Sequence, residues 1–368
     1  MEDAVPTGDR PALLGHASLE QRRAGSFGHG ASGTLVAHGQ RRYPSREMRA
    51  KRGETGGGQH ERAVAVAADL ARRLRATRIE LVLAPLDGRT VKRPPNRPGT
   101  FLHSTLGFAL RRVACEEAEP CRGRCAHPDR CAVGRLFERP RREAPAPGAG
   151  PGDAPVRFVA RAPWDWAPGS APLGADLVLL SPDRQDLRSL EIALESGPVR
   201  AAAARFGVEV SAVGGAEELA TVEPPPGAGP FAVRLALASP LKLLADGRVR
   251  EAFDAPVFLR RLAWRVSAWA YFLEGLAWPA LWPDLEAEGA GLEVLGAATR
   301  FVSDGRWSAR QGRRVPRQGL VGEVRLDGVG PATLHLLRLA ERCGVGGGAS
   351  EGLGQIRIME IDSGKGSA

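Results

Sequence analysis

One order of elements is written twice along this chain, on either side of a proline linker. In the first half, residues 78–86 alternate Ile79, Leu81 and Leu83 with Glu80 and Val82, the period of a strand. Residues 100–115 then space Leu102, Leu106, Leu110 and Val113 at helical intervals, with Arg111 and Arg112 near the end, where cations suit the helix dipole. Residues 156–160 and 173–180 read as two strands, 186–206 as a helix and 208–213 as a closing strand. The linker 223–229 contains Pro224, Pro225 and Pro226, which have no N–H to give to a sheet. Beyond it, 231–238 reads as a strand, 256–273 as an amphipathic helix, 292–301 and 319–326 as strands, 332–342 as a helix and 355–361 as a last strand. Strand, helix, strand, strand, helix, strand is the ferredoxin-like split unit. The expectation is an α+β protein with two such domains in tandem.

That order bounds the domains. Residues 1–73, rich in Gly, Ser, His and Arg, lack a sustained apolar period and are expected to form a disordered basic tail, or to have been translated from a start codon placed too early. The N-terminal ferredoxin-like domain should then occupy 74–222, with a Cys-rich insert at 115–131, and the C-terminal one 230–362. A length of 368 residues suits two compact domains. No apolar run approaches the roughly 20 residues that span a bilayer, and no charged-then-apolar leader opens the chain, so the expected compartment is the cytoplasm with no membrane partner.

Net charge points toward a polyanion. The chain carries +9 at pH 7 with a pI near 10.0, and residues 72–142 alone hold 17 Lys and Arg against 7 Asp and Glu. Cations set against phosphates release condensed counterions, and the ferredoxin-like unit leaves one sheet face free, as RNA-recognition modules do. Lysine occurs only at positions 51, 92, 242 and 365, a bias toward Arg that also marks a GC-rich genome, so charge by itself gives a modest preference for nucleic acid.

The most specific motif follows the last helix. Gly344-Val345-Gly346, five further residues, then Gly352-Leu353-Gly354 lead into the final strand, a glycine-rich loop at 344–354. Such a loop lets backbone N–H groups approach a phosphate without a side chain intervening. A dinucleotide fingerprint would place its glycines after a strand and before a helix, and here the order is reversed. The alternative is a tight turn in a chain with 46 glycines.

This loop resembles the C-terminal glycine-rich signature of the RAMP superfamily, and specifically of the Cas6 endoribonucleases that mature CRISPR precursor RNA. Residues 100–112, 131–138 (CAVGRLFE), 231–242, 258–269 and 319–322 resemble that family's segments in the same order, so the likeness spans about 78–361. It implies a metal-independent endoribonuclease that binds CRISPR repeat RNA and uses the substrate's own 2′-hydroxyl as nucleophile. The products would be a 2′,3′-cyclic phosphate and a 5′-hydroxyl, with no cofactor for catalysis. A non-catalytic RAMP subunit holding guide RNA beside other Cas proteins of an interference complex would need the same fold. A zinc-stabilised RNA-binding module unrelated to CRISPR is a third reading. Family loops often carry a basic residue between the glycine triplets, whereas 347–351 has none, which leaves backbone N–H groups, Arg342 or Arg357 to meet phosphate.

Cleavage of this kind needs a base, an acid and a cation beside the phosphorane. Four of seven histidines lie in the expected tail, leaving His103, His127 and His335. His335 sits among Leu334, Leu336 and Leu337 and reads as a core residue. His103 is expected to open the first helix beside the basic loop 89–99, and the resemblance implies a catalytic histidine there, with Lys92 as a candidate catalytic cation. A helix N-terminus would keep the imidazole neutral and suit a base. Arg89, Arg93, Arg97, Arg357 and Gly344, Gly346, Gly352 and Gly354 are the expected RNA contacts.

Cys115, Cys121, Cys125 and Cys131 fall within 17 residues. In a reducing compartment such clustering suggests a metal rather than disulfides, and four thiolates satisfy a structural zinc or an iron–sulfur cluster, with His127 as a substitute ligand. A closed four-ligand site has no open position for catalysis. Cys343 reads as a small core residue.

Overall fold

The structure, a computed structural model, describes residues 56–86, 97–115, 130–138, 154–164, 171–227, 229–277, 285, 288–289, 291–308 and 312–363. It begins with a helix, α1 (Gly56–Arg73), where a tail was expected. Ala63, Ala67, Leu70, Ala71 and Leu74 recur at helical spacing and bury one face. The signal was present but carried by alanines, whose small apolar area makes a weak period.

The first sheet is built from β1 (Ala76–Pro85), β2 (Phe158–Arg161), β3 (Leu173–Leu180) and β4 (Val208–Ala212), in the spatial order β2-β3-β1-β4, with the two-residue β5 (Glu217–Glu218) also paired to β1. Every pairing is antiparallel. This is the ferredoxin-like order, in which the last strand returns to lie beside the first. Helices α2 (Pro98–Val113), α3 (Ala132–Phe137), α4 (Arg184–Glu195) and α5 (Gly197–Ala204) accompany it. The single helix expected over 186–206 is two: Ser196 is extended and Pro198 lacks the N–H that would continue the ladder, so a new helix starts at Gly197. Asp183 and Asp186 form a reciprocal capping box that starts α4 two residues earlier than its apolar period suggests.

The second sheet repeats the order as β11-β6-β10-β9, from β6 (Phe231–Leu241), β9 (Glu293–Ser308), β10 (Arg313–Val329) and β11 (Ile356–Ser363). Between β6 and α6 (Ala255–Phe272), β7 (Leu244–Ala245) and β8 (Arg248–Val249) make a small hairpin, and α7 (Pro331–Cys343) precedes the glycine loop. Strands β9 and β10 run well past their expected ends and pair from Asp327↔Glu293 to Arg313↔Ser308. The extension carries Gly305, Pro316 and several charges, so no alternation marks it in the sequence.

The two halves share a core. Leu177 and Leu179 of β3 face α2 and α4, whereas Val178 and Leu180 belong to the cluster that includes Phe258, Trp269 and Leu337 of the second half. That two-sided burial accounts for the uninterrupted apolar run at the end of β3. Trp269, fully buried, donates its Nε1–H to Ser181 Oγ at 2.9 Å, and Ser181 in turn donates to Glu274.

Candidate nucleic-acid interface

Helix α2 and the glycine loop meet. Pro98 starts α2 at a position whose missing N–H has no partner to lose, and Gly99 lies directly against the loop. A Cβ on Gly99 would stand 2.9 Å from the Glu351 carbonyl oxygen. Gln355 Nε2 ties the same region together, donating to Gly352 O at 2.8 Å and to Ala162 O, beyond the end of β2, at 3.3 Å.

Along α2, Gly99, His103 and Gly107 fall at i, i+4 and i+8 and therefore on one face. Gly107 packs on Phe137 of α3, so His103 lies between the glycine loop and α3. Its ring is 5.2 Å from that of Phe137 and 6.0 Å from that of Phe158, which stack on each other at 4.6 Å. The helix starts at Pro98, so His103 is in its second turn and not at its opening. The unpaired N–H groups of the first turn end before it, and the dipole argument for a neutral imidazole weakens accordingly.

The loop itself is more closed than its composition implies. Gly344, Gly352 and Gly354 are buried, and their N–H groups donate to Ala340 O at 2.8 Å, Ala349 O at 3.0 Å and Pro240 O at 3.1 Å. At Gly354 (φ 68°) any Cβ would collide with the Val345 carbonyl oxygen. These glycines permit backbone packing, and only Gly346 among the four expected glycine contacts is partly exposed. Glu351, between the triplets, is ion-paired to the buried Arg317 of β10.

Arg97, the residue before α2, pairs with Asp304 at 3.0 Å and lies 4.2 Å over the Trp164 ring, so its charge is already met by a carboxylate. Burial acts to raise the Asp304 carboxyl, but the Gly305 N–H and Arg97 outweigh it and hold it below the usual value. Arg89, Lys92 and Arg93, together with Cys121, Cys125, His127 and most of the expected tail, lie outside the described residues. Cys115 is half-buried at the end of α2, Cys131 is buried at the start of α3, and Cys343 is buried, its thiol pushed up by desolvation. His335 is buried on α7, as expected of a core residue.

Between the sheets runs an open groove of about 880 Å³, lined by Arg161, Trp164, Arg300, Gly322, Arg357 and Met359 among others. Arg357 is exposed there. Arg161 lies 3.9 Å from Asp176, and burial lowers its guanidinium below the usual value. Sequence reasoning found Arg357 but not Arg161 or Arg300, which sit on strands whose alternation identifies the outward face without saying that two such faces border one groove.

Comparison with known proteins gives a family likeness for the C-terminal region. Residues 235–356 match the sequence profile described as CRISPR-associated endoribonuclease Cas6, and residues 75–213 match one described as an N-terminal domain. Over that C-terminal region the chain is similar to the Cas6 family. No curated protein matches it in sequence. Among solved structures, Thermus thermophilus Cas6 is 17% identical with a TM-score of 0.46, the match covering 78% of this chain and 98% of that one. A Cas6 product complex is 18% identical (TM-score 0.47, 78% and 100% covered), and a RAMP protein binding different RNA substrates is 14% identical (TM-score 0.41, 77% and 100% covered). The assignment rests on the sequence profile and not on these distant likenesses. Among the described residues, no helix is long and apolar enough to cross a membrane.

Proposed function

We propose that this chain is a Cas6-type endoribonuclease that binds CRISPR repeat RNA and cuts precursor RNA into guide-sized pieces without a metal ion. The observation that carries the reading is the docking of the glycine loop on the first turn of α2, which leaves His103 one turn away on the same helix face. In the reaction, His103 takes the proton from a 2′-hydroxyl, whose oxygen attacks the adjacent phosphorus. The 5′-oxygen leaves and is protonated, giving a 2′,3′-cyclic phosphate and a 5′-hydroxyl. Lys92 is the candidate for cationic stabilisation, and Arg357 and Arg300 in the groove for holding the backbone. Cys115, Cys121, Cys125 and Cys131 bind a structural zinc or iron–sulfur cluster in this reading, remote from the reaction. The cytoplasm is the expected site of action, with other Cas proteins as further partners.

The test is cleavage of a labelled cognate repeat in excess EDTA. Products ending in a cyclic phosphate, formed at the same rate with and without chelator, are expected. RNA that is bound but left intact would make this a non-catalytic RNA-holding subunit, and loss of cleavage in EDTA would overturn the metal-free chemistry.

A further inference from the structure

The part of the glycine loop that touches α2 and β2 is its second triplet and Glu351. A different stretch, Gly346 to Ser350, borders a pocket of about 240 Å³ whose wall includes Lys242, Arg261, Trp264 and Arg265. It shares no lining residue with the groove between the sheets. Arg261 and Arg265 stand four apart on α6 and so project from one face. Three cations line this pocket, and none of the described lining residues is a carboxylate.

The two guanidinium groups are fixed, and no carboxylate among the described residues neutralises them. Arg261 Nη2 donates to Leu244 O at 2.6 Å, while Arg265 donates through Nε and Nη2 to Cys343 O at 3.1 and 2.8 Å. Carbonyl oxygens orient a cation without supplying a compensating charge. Lys242 has no hydrogen bond or ion pair at all among the described residues, although its backbone carbonyl lies beside Gly346. The N–H groups of Gly346, Gly347 and Gly348 likewise donate to nothing among the described residues. Three like charges around one small cavity repel each other, and an anion seated between them relieves that repulsion. Successive free N–H groups in a glycine turn add the donors an oxyanion takes. Trp264 and Val156 give the cavity an apolar wall, which suits a nucleoside attached to the anion better than a free ion.

We propose that this pocket is a second anchor for the RNA backbone, in which Lys242, Arg261, Arg265 and the N–H groups of Gly346 to Gly348 hold one phosphodiester remote from the scissile bond. It deepens, and rests on, the RNA-processing function proposed above.

Arg261 and Arg265 also hold the fold, so the test uses Lys242 and Gly347. A Cβ at Gly347 would meet nothing within 4 Å, so a side chain fits there. Affinity for a cognate repeat with a 5′-hydroxyl end is measured over a salt series for wild type, Lys242→Ala, Gly347→Ala and Gly347→Asp. Arg188→Ala, an exposed cation of α4, reports the effect of losing any single charge. Melting curves confirm that each variant is folded. Lys242→Ala should bind about fivefold to tenfold more weakly, lose more than Arg188→Ala, and flatten the slope of log K against log salt by roughly 0.7 to 0.9. Gly347→Asp should bind at least about tenfold more weakly than Gly347→Ala, since its carboxylate would occupy the anion's place. Wild-type affinity and slope in both Lys242→Ala and Gly347→Asp would overturn the anchor. So would losses seen only with 5′-phosphorylated RNA, which would assign the pocket to a terminal phosphate. Wild-type protein that fails to bind repeat RNA would remove the RNA function itself, a failure visible before any variant is made.

Discussion

Gly99 at the start of α2 and Gly352 in the glycine loop are in backbone contact: a Cβ on Gly99 would stand 3.0 Å from Gly352 Cα. One domain's helix and the other's loop therefore position each other, and a methyl group is enough to separate them.

In an open helical site, replacing Gly by Ala gains about 1 kcal/mol from helix propensity. At Gly99 the sign should reverse, because the atoms it would meet are backbone on both sides and cannot rotate away. Gly99→Ala is expected to destabilise by about 1–3 kcal/mol and to slow cleavage as α2 shifts from the loop. Gly347→Ala, whose added methyl meets nothing, should melt at the parental temperature. Thermal melts of the two variants side by side check the contrast.

The ion pair between Arg317 and Glu351 anchors the loop from the other side. Arg317 is 3% exposed and Glu351 17%, so removing one partner leaves the other in a poorly solvated site. Glu351→Gln or Arg317→Met alone should cost about 3–5 kcal/mol, whereas the double variant should cost less than the sum. A denaturant-unfolding cycle measures it, and additive losses would indicate that the two side chains act independently.

How much of this was legible in the sequence depends on where each signal resides. The two sheets were legible because their strands alternate or, as in Leu177 to Leu180, form a short apolar run between turn residues. Helix α1 was missed because its buried face is mostly alanine, and the ends of β9 and β10 because pairing and the Arg97–Asp304 bridge, not side-chain alternation, order them. The glycine loop is legible as a motif, and its composition alone points to phosphate contacts. The structure gives Gly344, Gly352 and Gly354 to close packing, a distinction between neighbours that only three-dimensional contact makes. Arg261 and Arg265 do carry an i, i+4 signal, yet on an amphipathic helix that pattern usually marks a solvated edge.

The proposed metal in the Cys-rich insert has a direct check. Protein purified without chelators should contain about one zinc ion, or one iron–sulfur cluster, per chain. Cys115→Ser with Cys131→Ser should lose it and melt at a lower temperature, while cleavage at saturating RNA persists below that temperature. Metal-free wild-type protein would rule the site out.

His335 should make stability depend on pH. It is buried on α7, its Nδ1 has no hydrogen-bond partner among the described residues, and desolvation, with help from Arg338 and Arg72, pushes its imidazole below the usual value of 6.5. The unfolded chain then takes up a proton at higher pH than the folded one. Stability is fully present above about 6.5 and falls as pH drops through the window between the unfolded and folded values. Urea unfolding of wild type and His335→Leu across pH 5–8 is the measurement. The acid-side loss should be smaller in the variant, and identical slopes would show that His335 is not its source.

The catalytic assignment of His103 competes with a purely structural one, because its ring packs beside Phe137 and Phe158. Substitution by Ala would confound the two, since it removes the imidazole and leaves a void among aromatic rings. His103→Phe separates them: it retains an aromatic ring in the cluster and has no titratable nitrogen. If His103 moves the proton from the 2′-hydroxyl, His103→Phe should bind repeat RNA nearly as tightly as wild type, melt within a few degrees of it, and cleave about 10²–10⁴-fold more slowly. The acid limb of the pH–rate profile, which reports deprotonation of the base, should also disappear from whatever activity remains. A ring that served only packing would give the opposite result, with parental rate and an unchanged profile in His103→Phe. The base would then have to be sought elsewhere, with Lys92 and Ser104 tested next.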